Sequence, residues 1–126
     1  MLFRIDDKEY AVATSLRVAY DIEKNNKKKI KEIMAHADDM SLDEILNFIY
    51  NGFKIENPEI SLDKFKDMVL SSTSLGFMEI QVEFQVFCSM LIRKNESEEE
   101  IREKLQKMLD KAEAEAEIET VSDEKN

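Results

Sequence analysis

Glycine and proline are nearly missing, with two Gly and one Pro in 126 residues. Both residue types break helices, so a chain this poor in them is expected to form long helices joined by few tight turns. The single cysteine, Cys88, excludes an intramolecular disulfide, and a small secreted domain would ordinarily carry several. His36 is the only histidine and no CxxC pair accompanies it, so a zinc site or a His-assisted nucleophile would lack its partners. No run approaches the roughly 20 apolar residues of a membrane helix. Met1 to Asp7 also lacks the apolar stretch of a signal peptide. The expected location is the cytoplasm, with no membrane partner. Gly-rich phosphate loops, nucleophile elbows and metal-binding helix motifs do not occur either. The expectation is a protein with no catalytic residue, no cofactor and no metal, in short not an enzyme.

What the chain does contain is 43% hydrophobic and 37% charged residues, a mixture that suits one folded domain with a heavily charged surface. Acids outnumber bases 28 to 18, giving a net charge of −10. A polyanion would be repelled, so no nucleic-acid partner is expected. The basic run Lys27-Lys28-Lys29, with Lys24 and Lys31, reads as a solvated helix face. The dense acidic clusters are Asp6-Asp7, Asp38-Asp39 and Glu98 to Glu100. The last two lie where negative charge suits a helix N-terminus. None has the spacing and glycine of a calcium loop.

Along the chain, Leu2 to Ile5 and Tyr10 to Val12 are short apolar runs around a polar turn, which predicts a β-hairpin. Thr14 or Ser15 can cap a first helix with Leu16, Ala19 and Tyr20 on one face, fraying near Asn25-Asn26. Lys27 to Lys29 would open a second, with the stripe Ile30, Ile33, Met34 and Ala37. Ser41 and Glu44 form a capping box, flanked by a Met40–Ile45 staple. The stripe Leu42, Ile45, Leu46, Ile49, Tyr50, Phe53 then follows helical spacing. Gly52 and Asn57-Pro58 are expected to end that helix. Ser61 caps a fourth, through Leu62, Phe65, Met68 and Val69, with an Ile60–Phe65 staple, and Ser71 to Ser74 is a polar connector.

Met78 to Phe87 alternates like a strand, but the apolar run continues through Ile92 without alternation, and its length favours a helix. Such a helix has two apolar faces. Ile80, Phe84, Phe87, Cys88 and Leu91 make one, enough to join a core. Met78, Val82, Val86 and Met90 make the other, which must be covered by another helix, a second copy or a partner. These four are the candidate partner-binding residues.

From Lys94 the composition turns acidic, with 12 acids against 6 bases in residues 94–126. Ile101, Leu105, Met108, Leu109 and Ala112 form one narrow stripe, and Glu98–Arg102, Glu100–Lys104 and Glu103–Lys107 are favourable i,i+4 pairs. Disorder is expected from Thr120. The fold expected is mainly α: a small helical domain with an N-terminal β-hairpin over residues 1–93, then an acidic, partly frayed helical segment over 94–126.

The order of these pieces resembles the tail assembly chaperones of long-tailed phages and prophages of Gram-positive bacteria. The resemblance is carried by Phe3-Arg4-Ile5-Asp6-Asp7-Lys8-Glu9-Tyr10, by Ala19-Tyr20-Asp21-Ile22-Glu23-Lys24, and by Ile49-Tyr50-Asn51-Gly52-Phe53 followed by Asn57-Pro58-Glu59-Ile60-Ser61. It covers residues 1–70. The turn departs from the family by having Asp6-Asp7-Lys8 where glycine is common, and the chain is long after Lys94. The resemblance implies a nonenzymatic factor in the host bacterial cytoplasm, absent from the mature virion. It would bind the tape measure protein and help recruit the tail tube protein, the latter through a longer frameshifted form in many members. Homo-oligomers would also fit. Two other readings stand beside it: a secretion-type chaperone, whose mixed α/β dimer would need more strand, and an acidic DNA-mimic inhibitor, which the interspersed lysines argue against.

Overall fold

Phe3 and Ile5 point inward from the first strand while Leu2 and Arg4 point outward, and this alternation fixes which side of the hairpin the helices cover. In the computed structural model, which describes residues 1–92 and 95–125 (116–125 as backbone only), β1 spans Leu2–Ile5 and β2 Lys8–Ala11. They pair antiparallel from Leu2 opposite Ala11 to Ile5 opposite Lys8. Asp6 takes φ 54° at the turn, a left-handed conformation that Asp tolerates better than most residues.

Six α-helices follow: α1 (Leu16–Asn26), α2 (Ile30–Ala35), α3 (Leu42–Glu56), α4 (Leu62–Leu70), α5 (Phe77–Ile92) and α6 (Glu98–Lys125). The mainly α architecture with one N-terminal hairpin is therefore present, and the ambiguous Met78 to Phe87 stretch is helical. The expected boundary near residue 94 falls on residues 93 and 94, outside the described residues. Beyond Thr120 the backbone stays helical to Lys125, where disorder was expected.

α3 is the central helix, packed against β2, α1, α4 and α5. Its capping box is formed: the Glu44 amide donates to Ser41 Oγ at 3.2 Å, and the Ser41 amide donates to Glu44 Oε1 at 3.4 Å. Ser61 likewise accepts from the Lys64 amide at the start of α4, at 3.2 Å. An aromatic cluster joins hairpin to helices, with Phe65 lying 4.4 Å from Phe53, 5.7 Å from Tyr50 and 6.1 Å from Phe3, ring centre to ring centre. The Tyr50 hydroxyl, at the edge of this cluster, donates to the Ile60 carbonyl at 2.7 Å.

Two local expectations are corrected. Gly52 does not end α3, which runs four residues further to Glu56. It is buried inside the helix because the β2–α1 link crosses there. A Cβ would collide with the Ala13 carbonyl oxygen and come within 2.9 Å of Val12 and 3.0 Å of Phe87. In α1 the buried residues are Val18 and Ile22, while Leu16 and Tyr20 are 75% and 56% exposed. The periodicity of a short stretch with apolar residues all round did not fix its inward face. Arg17 instead lies over the Tyr20 ring, 5.9 Å from its centre.

Candidate functional site

The core-forming face of α5 is as expected: Ile80, Phe84, Phe87, Cys88 and Leu91 are all buried. Burial pushes the Cys88 thiol up to about 12, which keeps it a neutral hydrophobe and not a nucleophile. The four candidate partner-binding residues on the other face do not share one environment. Met78 is 61% exposed, Val82 and Met90 are half-buried, and Val86 is 0% exposed.

α6 explains the difference. It lies against α5, and Ile101 is its one buried residue among the described side chains. Arg102 fixes its position. Its two terminal nitrogens donate to the two carboxylate oxygens of Glu83, each at 2.9 Å, and Nε donates to Glu98 at 2.9 Å. Nη2 also donates to the Leu2 carbonyl at 3.0 Å, while the Leu2 amide donates to Glu98 at 3.0 Å. The clasp thus ties α6 to α5 and to the outer edge of β1. The two carboxylates push the guanidinium pKa further up, with Glu83 the larger influence. The Glu98–Arg102 pair was legible in the sequence; Glu83 and Leu2 as partners were not, since they lie 19 and 100 residues away.

Glu83 precedes Met78 in the direction away from the α5–α6 turn, by about 7.5 Å at 1.5 Å per residue, and Met108 lies about 9 Å beyond Arg102 on α6. Past the clasp both helices carry apolar side chains that are not buried. Met78 is exposed there, Met108 is 65% exposed, and Leu105 and Leu109 are half-buried. Phe77 at the tip of α5 and Leu70 at the end of α4 are exposed as well.

A second feature was not anticipated. An open groove of about 950 Å³ runs between the end of α1, α2 and α3, lined among others by Asn25, Lys28, His36, Phe48, Asn51 and Lys54. Lys28 brings part of the basic run to its rim, but Glu32, Asp39 and Glu44 also line it, so it has no single charge preference. His36 is exposed after the end of α2. Among the described residues no three His, Cys, Asp or Glu side chains gather as a metal site, and no helix is long and apolar enough to cross a membrane.

The acidic turn Asp6-Asp7 has a role the sequence did not reveal. Asp6 Oδ1 accepts from Ser72 Oγ at 2.8 Å and from the amides of Thr73 and Ser74 at 3.0 and 3.2 Å, and Ser74 Oγ accepts from the Asp6 amide at 3.1 Å. These hydrogen bonds, Ser72 first, hold the Asp6 carboxyl below its ordinary range. The polar connector between α4 and α5 is thereby buttoned to the hairpin turn, which sets where α5 begins.

No protein-family model, curated protein or solved structure matches this chain.

Proposed function

We propose that this chain is a nonenzymatic assembly chaperone that holds an amphipathic helical client, of the phage tail assembly type. The observation that carries the reading is the exposed apolar surface that α5 and α6 carry past the clasp, where Met78 and Met108 are both mostly exposed. Exposed side chains of this size leave apolar surface in water at about 25 cal/mol per Å². Methionine adapts to irregular partners, which suits a long and varied client. A helix laid in a groove is the binding mode such a surface fits. The resemblance of Phe3–Tyr10, Ala19–Lys24, Ile49–Phe53 and Asn57–Ser61 to the tail assembly chaperones suggests the client: the tape measure protein, with the tail tube protein recruited to the complex. The site of action is then the host bacterial cytoplasm, and the chain leaves before the virion is complete. A DNA mimic is less well supported, because carboxylates such as Glu83, Glu98, Asp43 and Glu96 are paired with Arg102, Lys66 and Lys104.

Co-expression tests the reading. A tape measure protein from the same genome should be soluble and co-purify with this chain, and be insoluble without it. A tape measure protein equally soluble alone, with no co-purification, would refute it.

A further inference from the structure

α6 covers α5 without joining the core. Val86 and Ile101 are both buried, at 0% and 3% exposure, yet neither belongs to the cluster that unites the hairpin with α1 to α5. Both lie next to the clasp in sequence, Val86 three residues after Glu83 and Ile101 directly before Arg102, on two helices that pack together. We infer that the α5 face beneath α6 is a helix-binding groove in its own right, with α6 as its resident occupant. Its external partner is an amphipathic helix with an apolar residue followed directly by arginine and a second apolar residue four positions after the first. This rests on the helix-binding reading above and states what the client must carry.

The arginine is required by the receptor. Both oxygens of Glu83 and the Leu2 carbonyl converge on one guanidinium, and the Glu83 side chain is only 17% exposed. A helix lacking that fork would cover a carboxylate without pairing it, and buried unpaired charge is strongly unfavourable. Lysine presents a point charge and does not satisfy both oxygens in one plane. The apolar positions are given by Ile101, buried beside Arg102, and Leu105, half-buried about one turn further along α6. Displacement is feasible because Ile101 is the one buried side chain described on α6; Glu98, Arg102, Leu105 and Leu109 are half-buried and the other described side chains of the helix are exposed. Met78, five residues before Glu83, and Met108, six residues after Arg102, are exposed and offer an incoming helix its first contact.

The probe is a fluorescent synthetic peptide of residues 97–112 of this chain, titrated by anisotropy into the full-length protein. Arg102→Ala frees α6 and leaves Glu83 available, so the peptide should bind this variant about tenfold more tightly than it binds wild type. Glu83→Gln also frees α6 but removes the receptor carboxylate, so it should bind the peptide no more tightly than wild type. General loosening of the structure would raise binding to both variants equally, and that result would overturn the proposal. So would the absence of any gain in Arg102→Ala, or a concentration-dependent dimer of that variant in place of peptide binding. Ile101→Ala, which weakens α6 while sparing the clasp residues, repeats the test if Arg102→Ala fails to fold. The peptide contains no tape measure sequence. Its binding can therefore succeed where the client identity fails, and a tape measure complex can survive where the peptide does not bind.

Discussion

Replacing Gly52 with alanine sets two physical effects against each other. Helix propensity alone favours alanine in the middle of α3 by about 1 kcal/mol. The surroundings oppose it, because the new methyl would meet the Ala13 carbonyl oxygen, Val12 and Phe87 at once, two of these contacts at 3.0 Å or less from Val12 and Phe87. Backbone and ring cannot both withdraw without opening the core, and forcing a methyl into such a site costs about 1–3 kcal/mol. Moving the β2–α1 link away also strains the hydrogen bond from the Ala13 amide to the Gly52 carbonyl, now 3.1 Å, worth about 1 kcal/mol. The net expectation is a loss of about 1–3 kcal/mol. With a urea slope of about 1–2 kcal/mol per M, the unfolding midpoint should fall by about 0.5–3 M. Circular dichroism through a urea series measures it. A variant as stable as wild type, or more stable, would refute the reasoning and return Gly52 to an ordinary helix position.

Two further outcomes follow from the titrating groups. Asp6→Asn keeps a residue that tolerates the turn's left-handed backbone but removes the charge that accepts from Ser72, Thr73 and Ser74. Because the folded-state pKa of Asp6 lies below its ordinary 3.8, its contribution is present above that value and lost as pH falls through the lower one. Urea midpoints should therefore fall less steeply below pH 3.8 in Asp6→Asn than in wild type, and parallel curves would contradict a stabilising role for the Asp6 carboxylate. Cys88, with its thiol raised from 9.0 to about 12, should resist iodoacetamide at pH 9 in the folded protein and react once urea is added, and rapid native labelling would place it outside the core. The same shift means that Cys88 favours the folded state fully below pH 9 and progressively less as pH rises towards 12.

The parts of the fold legible in the sequence were those written locally. The Ser41–Glu44 box, the Ser61 cap and the long stripe of α3 are patterns within one or two turns, and each formed as expected. The helix from Phe77 to Ile92 was readable because its apolar run outlasted any strand alternation. What stayed hidden depends on chain segments meeting. Gly52 looked like a helix terminator until the β2–α1 link was seen to cross it, and Leu16 with Tyr20 looked like an inward face on a short helix that turns Val18 and Ile22 inward. In the candidate surface, Val86 was grouped with Met78, Val82 and Met90 by spacing, but with α6 packed against α5 Val86 is buried, Val82 and Met90 are half-buried and Met78 is exposed. Arg102 could be paired with Glu98 by its spacing of four, whereas the Glu83 carboxylate that orients it comes from another helix.

On the proposed function, a helical client seats on the exposed apolar surface at Met78 and Met108. The direct measurement is calorimetric titration of full-length wild type and Met78→Glu with a soluble helical segment of the tape measure protein. Met78 is 61% exposed, so a glutamate there should leave the circular dichroism spectrum and the urea midpoint nearly unchanged. On this account the affinity falls at least tenfold, since a charge is placed in the apolar contact. Equal affinity of the two proteins for the segment would put the client elsewhere and contradict the account.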